Sequence, residues 1–167
     1  MDPLVAAGTM SIYITASIPA RFLAGFIVDR VGTRHVRFMI GGSYALQSIG
    51  VATFLLSNQS MLALYAFFIL YGVGMGAAMP LTPIIRAKYF GRAHFGLIAG
   101  ISRALNIPVG IAGPVLAGWI YDTTGSYMMA FTLFAVLLGA AALTMCLVRP
   151  PKPPQTISSL MGAPAKQ

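Results

Sequence analysis

Apolar residues run in long stretches along this chain, and polar residues gather in a few short breaks between them. A helix rises 1.5 Å per residue, so about 20 mainly apolar residues cross a hydrocarbon layer roughly 30 Å thick. Five stretches reach that length, at about 4–28, 36–57, 60–84, 95–121 and 126–148. Asn58 and Gln59, between two serines, separate the second from the third, and Asp122-Thr123-Thr124-Gly125-Ser126 separates the fourth from the fifth. Both breaks suit only tight helical hairpins, the second with Gly and Ser as turn formers. After Arg149 the chain reads Pro150-Pro151-Lys152-Pro153-Pro154, then a Ser/Ala/Pro-rich run to Gln167. Consecutive prolines lack N–H donors and cannot continue a helix, so residues 150–167 are expected to form a disordered tail. The pattern predicts an all-α integral membrane protein with five transmembrane helices.

Composition agrees. Of 167 residues, 57% are hydrophobic and only 8% are charged, against about 25% charged in soluble domains. That leaves too little polar surface for a water-soluble fold and makes the lipid bilayer the chain's environment. No basic segment precedes the first apolar run, which opens Met1-Asp2-Pro3, so a cleaved signal peptide is not expected. Eleven Lys and Arg against three Asp and Glu give a net charge of +8. In a soluble protein this would suggest nucleic acid; between membrane spans it reflects the excess of cations in cytoplasmic loops, and no nucleic-acid partner is expected. Nine cations fall on one side. Arg30, Arg34 and Arg37 follow the first span, Arg86, Lys88 and Arg92 the third, and Arg149, Lys152 and Lys166 the fifth, while the two hairpin turns hold none. The expected topology is multi-pass in the cell (plasma or inner) membrane, with the N-terminus outside and the C-terminus cytoplasmic.

The third stretch carries Gly72, Gly74, Gly76, Ala77 and Ala78, then Pro80 and Pro83; the fourth carries Gly96, Gly100, Pro108, Gly110, Gly113, Pro114 and Gly118. Small residues let helix backbones approach closely where no hydrophobic drive separates helix from lipid. Prolines within spans need neighbouring groups to satisfy the carbonyls they free, and such interrupted helices surround transporter cavities. Plain packing with kinks is the simpler reading of any one of them. Gly72-x-Gly74-x-Gly76 is not a dinucleotide fingerprint, since no strand precedes it and its spacing differs.

The two remaining cations, Arg21 and Arg103, fall inside spans. Each lies eight residues, about 12 Å, from a cytoplasmic end marked by Asp29 or Phe95. The three acids, Asp2, Asp29 and Asp122, all fall at span ends, so no carboxylate within the five spans neutralises either arginine. An unpaired charge at that depth costs several kcal/mol. One reading is that both face a water-filled cavity and bind an anion, since a guanidinium fork matches a carboxylate. The others are snorkelling toward the headgroups and pairing with an acid on a helix outside this chain. Tyr13, Tyr44, Tyr65 and Tyr71 are possible hydrogen-bonding partners for a substrate, although packing aromatics are the commoner case. His35 and His94 lie in basic loops, and Cys146 has no partner cysteine. No metal-ligand spacing, triad or carboxylate pair can be assembled, so neither enzymatic activity nor a cofactor is expected.

Gly25-Phe-Ile-Val-Asp29-Arg30-Val-Gly32-Thr-Arg34 resembles the signature loop of the major facilitator superfamily, Gly-x-x-x-Asp-Arg/Lys-x-Gly-x-Arg/Lys, at five positions with matching spacing. In that superfamily the loop follows helix two and, less strictly, helix eight. Three further spans and a polar tail favour helix eight, so residues 4–149 resemble helices eight to twelve of a twelve-helix transporter. The resemblance implies that Gly25, Asp29, Arg30, Gly32 and Arg34 form a gating loop. Asp29 would face the N-terminus of the helix starting near Phe95, and Arg30 and Arg34 would pair with other loop or interdomain charges. Simple topology-setting cations are the alternative.

Gly113-Pro114-Val-Leu-Ala117-Gly118 partly resembles an antiporter element, with Ala117 in place of a glycine. Arg21-x-x-x-Gly25 and Arg103 are similar to the cationic positions of the monocarboxylate and oxalate/formate transporter group, as is the Phe95-to-Tyr127 region. That similarity implies that both arginines hold a substrate carboxylate. Two departures stand out: arginine replaces the lysine usual at the Arg103 position in the oxalate branch, and Ser17 replaces the aspartate that precedes the first arginine in the monocarboxylate branch.

The expected function is membrane transport, as the C-terminal portion of a secondary transporter for small organic anions of the mono- or dicarboxylate type. Its partner would be the missing N-terminal transporter half, and the fragment would be inactive alone. The rival is a standalone multi-span membrane protein with a structural or assembly role.

Overall fold

Each apolar stretch is one helix in the structure, a computed structural model that describes residues 3–32, 35–56, 60–90 and 95–148. The helices are α1 (Pro3–Val31), α2 (Val36–Leu56), α3 (Met61–Phe90), α4 (Phe95–Thr124) and α5 (Met128–Leu147). All five are long and apolar enough to cross a membrane. The expected tail at 150–167 lies outside the described residues.

Three helices run further than the apolar pattern suggests, and local chemistry accounts for two of the new ends. Gly32, at φ +77°, takes the left-handed conformation that closes α1, and its N–H bonds the Val28 carbonyl at 2.9 Å. Gly125, at φ +69°, does the same for α4, with its N–H 2.7 Å from the Tyr121 carbonyl. Thr123 and Thr124 hydroxyls donate to Trp119 and Ile120 carbonyls, so two polar residues join the helix rather than the turn. The third stretch, expected to run through Pro80 and Pro83 to about residue 84, continues as α3 to Phe90. Each proline removes one helical hydrogen bond, but α3 is packed between α1 and α2, and that packing holds the helix through the interruption.

Neighbouring helices follow the order α1, α3, α2, α5, with α4 touching α3 and α5 only sparsely. The α3 glycines set this arrangement. A Cβ on Gly72 would lie 2.8 Å from the Tyr13 carbonyl oxygen of α1, and one on Gly76 would run into the Ser17 carbonyl of the same helix. A Cβ on Gly74 would lie 2.6 Å from the Ser43 carbonyl oxygen of α2. Residues four apart share a helix face and residues two apart lie on roughly opposite sides. Alternate glycines therefore admit a backbone on each side of α3. Below this crossing Ala24, Val28, Val36, Ile40, Leu81 and Ile85 form the buried core.

The α2–α5 contact uses hydrogen bonds as well as a close approach. Gly41 faces Ala142 and Cys146 of α5, where a Cβ would lie 2.8 Å from the Cys146 Sγ. Ser48 Oγ donates to the Ala135 carbonyl at 2.8 Å. Arg37 Nη1 donates to the Val148 carbonyl at 2.7 Å, while its guanidinium carbon sits 4.4 Å from the Phe38 ring centroid. A cation is poorly placed in the first turn of its own helix α2 but well placed against the C-terminal end of α5, where the macrodipole is negative.

Replacing Gly74 by Ala is expected to lower stability by about 1–3 kcal/mol through overpacking. Gly42→Ala, where a Cβ meets nothing within 4 Å, should be neutral or gain up to about 1 kcal/mol of helix propensity. Thermal unfolding of the two purified variants in detergent distinguishes them. Arg37→Leu is expected to cost about 1–2 kcal/mol by the same measurement, from the lost charge-assisted bond to α5.

Candidate functional site

Arg21 lies on α1 ten residues before its end at Val31, and Arg103 lies on α4 eight residues after its start at Phe95. Both side chains are exposed, and neither has a hydrogen-bond or ion-pair partner among the described residues. None of the described acids pairs with either arginine. No extensive packing joins α1 to α4; each instead borders α3.

Ser17 precedes Arg21 by one turn. It is 2% exposed, its hydroxyl donates to the Ile14 carbonyl at 2.9 Å, and its backbone is the surface that Gly76 meets. The position that carries an acid in the resembling branch is here a close helix contact.

Two cavities lie elsewhere. One of about 260 Å³ sits at the α1–α2–α3 junction, lined on α1 by Ala20, Leu23, Ala24 and Ile27. Arg21 follows Ala20 and lies about 110° around α1 from the middle of that lining, outside the cavity. A second, of about 420 Å³, lies where α2 and α4 end and α3 and α5 begin, walled by Phe54, Phe67, Phe68, Tyr121, Tyr127 and Phe131. The Tyr121 and Tyr127 rings stack at 4.5 Å across the α4–α5 turn. Neither cavity includes a charged side chain.

Within the loop motif, Gly32 has the clearest role: it is the left-handed cap of α1. Gly25 is half-buried, and a Cβ there would meet nothing within 4 Å. Asp29 is exposed, without a bonded partner among the described residues. The Arg30 guanidinium carbon sits 4.4 Å from the Phe26 ring centroid, one turn earlier on α1. Arg34 lies outside the described residues, as do residues 91–94 before α4.

Of the four tyrosines, Tyr13 and Tyr71 have ring centroids 6.3 Å apart across the α1–α3 contact. Tyr44 packs on the core, and Tyr65 is exposed. Two polar side chains not singled out from the sequence, Ser43 and Gln47, are buried beside Gly74, and Gln47 Nε2 donates to the Ser43 carbonyl at 3.2 Å. Their spacing of four on one face of α2 was the available signal.

Comparison with known proteins supplies the remaining constraint. A family model described as the Major Facilitator Superfamily matches residues 1–166. Monocarboxylate transporter 12 of Rattus norvegicus is 30% identical over 141 residues, covering 83% of this chain and 29% of the relative. The uncharacterized transporter YycB of Bacillus subtilis (strain 168) is 26% identical over 145 residues, covering 84% of this chain and 35% of the relative. The agnestins efflux protein AgnL12 of Paecilomyces divaricatus is 29% identical over 140 residues, covering 83% and 31% respectively. The chain spans about a third of the length of these relatives. With five apolar membrane-length helices and a family match along nearly its whole sequence, the chain belongs to the Major Facilitator Superfamily.

Proposed function

We propose that this chain acts in membrane transport, as the C-terminal portion of a secondary transporter for small organic anions, and that Arg21 and Arg103 hold the substrate carboxylate. The observation that carries the reading is the pair of guanidiniums within spans, neither with an acidic partner among the described residues. Charges at such depth face a cavity or a counter-charge far more often than lipid. A carboxylate supplies both the missing charge and a bidentate match to the fork. The name of the Rattus norvegicus relative supports the same chemistry, while the fungal efflux relative shows that similarity alone does not fix the cargo.

In this reading the exposed circumference of α4 and the arginine-bearing side of α1 meet helices contributed by the N-terminal transporter half. The two halves then rock about a midplane site. Gly25, Asp29, Arg30, Gly32 and Arg34 form the cytoplasmic gating loop, the C-terminus is cytoplasmic, and the N-terminus of this chain is outside.

Arg103→Gln in the full transporter polypeptide should lower organic-acid uptake by roughly 10–100-fold at sub-saturating substrate, as expected for a lost charged hydrogen bond. Arg103→Lys should retain part of it. Unchanged uptake in Arg103→Gln overturns the assignment. Expressed alone in vesicles, the 167-residue chain is expected to show no saturable carboxylate uptake; such uptake would refute the fragment reading.

A further inference from the structure

The aromatic cavity beside the α4–α5 turn is the mouth of a longer cleft. Phe67 and Phe131, which wall it, also wall a second space of about 260 Å³ with Val51, Tyr71, Phe134 and Leu138. The two spaces follow α5 from Met128, its first residue, to Leu138. Ten residues of helix rise about 15 Å, which is half of a hydrocarbon layer roughly 30 Å thick. The cleft is therefore one leaflet deep. Phe54 braces its walls, with ring centroids 5.9 Å from Phe67 and 5.8 Å from Phe131.

The inner end is closed. Past Leu138, α2 and α5 come together: a Cβ on Gly139 would lie 3.4 Å from the Ser48 Oγ, Ser48 bonds the Ala135 carbonyl, and Gly41 meets Ala142. Polarity is graded along the same line. Tyr121, Ser126 and Tyr127 border the mouth, and the hydroxyls of the two tyrosines have no partner among the described residues. The inner lining is aromatic and aliphatic, with Tyr71 as its one hydroxyl among the described residues. No charged side chain lines either space, so an ion entering would lose its hydration without a counter-charge. A spanning helix crosses both leaflets and cannot lie in a recess that ends at the midplane. A single acyl chain ends there as well.

We infer that this cleft is a lipid site, which takes one acyl chain of a phospholipid from the leaflet at the end of the bundle whose two hairpin turns hold no Lys or Arg. The tail lies between Val51 of α2 and Leu138 of α5. The ester end lies at the mouth, where the Tyr121 and Tyr127 hydroxyls donate to its carbonyl, in the interfacial zone that tyrosine favours. Because the mouth is shared by α4 and the α2–α3 hairpin, the chain also fastens the sparsely packed α4 to the bundle. None of these residues is assigned to the anion, so this inference stands or falls apart from the transport reading.

Photolabelling of the full transporter polypeptide tests it, in phosphatidylcholine vesicles containing a phosphatidylcholine with a diazirine midway along one acyl chain. Adducts are mapped by peptide mass spectrometry. Val136, 63% exposed on the opposite side of α5 at the same depth, reports ordinary lipid contact. Adducts at Phe67 or Phe131 should at least equal those at Val136. Leu138→Trp and Leu64→Trp fill the cleft from its inner end and its mouth, and in each the cleft adducts should fall about tenfold with Val136 labelling unchanged. A parent labelled at Val136 but not in the cleft overturns the inference, since the space is then collapsed or filled by protein; this result needs no variant to fold. Cleft labelling that persists undiminished in both variants overturns it too.

Discussion

Bringing three peptide backbones into contact inside hydrocarbon is the constraint on which this bundle depends. Lipid is as apolar as leucine, so helices gain nothing merely by hiding leucines from it, and association has to come from close packing. Gly72, Gly74 and Gly76 meet that requirement at one level of α3, two admitting α1 and one admitting α2. The fully buried Ile40 and Leu81 pack in the core beside this crossing. Gly41 repeats the device between α2 and α5. Four of the five helices are thereby strung into one body by positions that carry no side chain.

The fifth helix obeys a different rule. On α4, Gly96, Gly100, Gly110, Gly113 and Gly118 meet nothing within 4 Å, although they are no rarer there than on α3. A small-residue face makes a contact only when a partner backbone is present, and for most of α4 none is present among these helices. The same holds for charge: Arg21 and Arg103 lie at a depth where a protein normally supplies a counter-charge, and the described residues supply none. Unmet packing and unmet charge both occur on α4.

Fold class was largely legible, because apolar length and cation asymmetry are properties of sequence alone. Helix ends were less so. The extensions of α1 and α4 depend on Gly32 and Gly125 adopting left-handed conformations, and Thr123 and Thr124 satisfy backbone carbonyls that a polarity scale assigns to a turn. The run of α3 through Pro80 and Pro83 was expected, but its extension beyond residue 84 to Phe90 was not. The glycine triplet was visible as a packing motif, but its two-sided use was not, since that follows from which helix lies on each side. At the candidate site the arginines were found by elimination of the loop cations.

Arg37 has the charge of a topology marker and the geometry of a tie rod. Its bond to the Val148 carbonyl joins the first turn of α2 to the last turn of α5, 111 positions apart. A displacement of either helix end along its axis must therefore be shared by the other or break the bond. The start of α2 and the end of α5 consequently behave as a single mechanical corner.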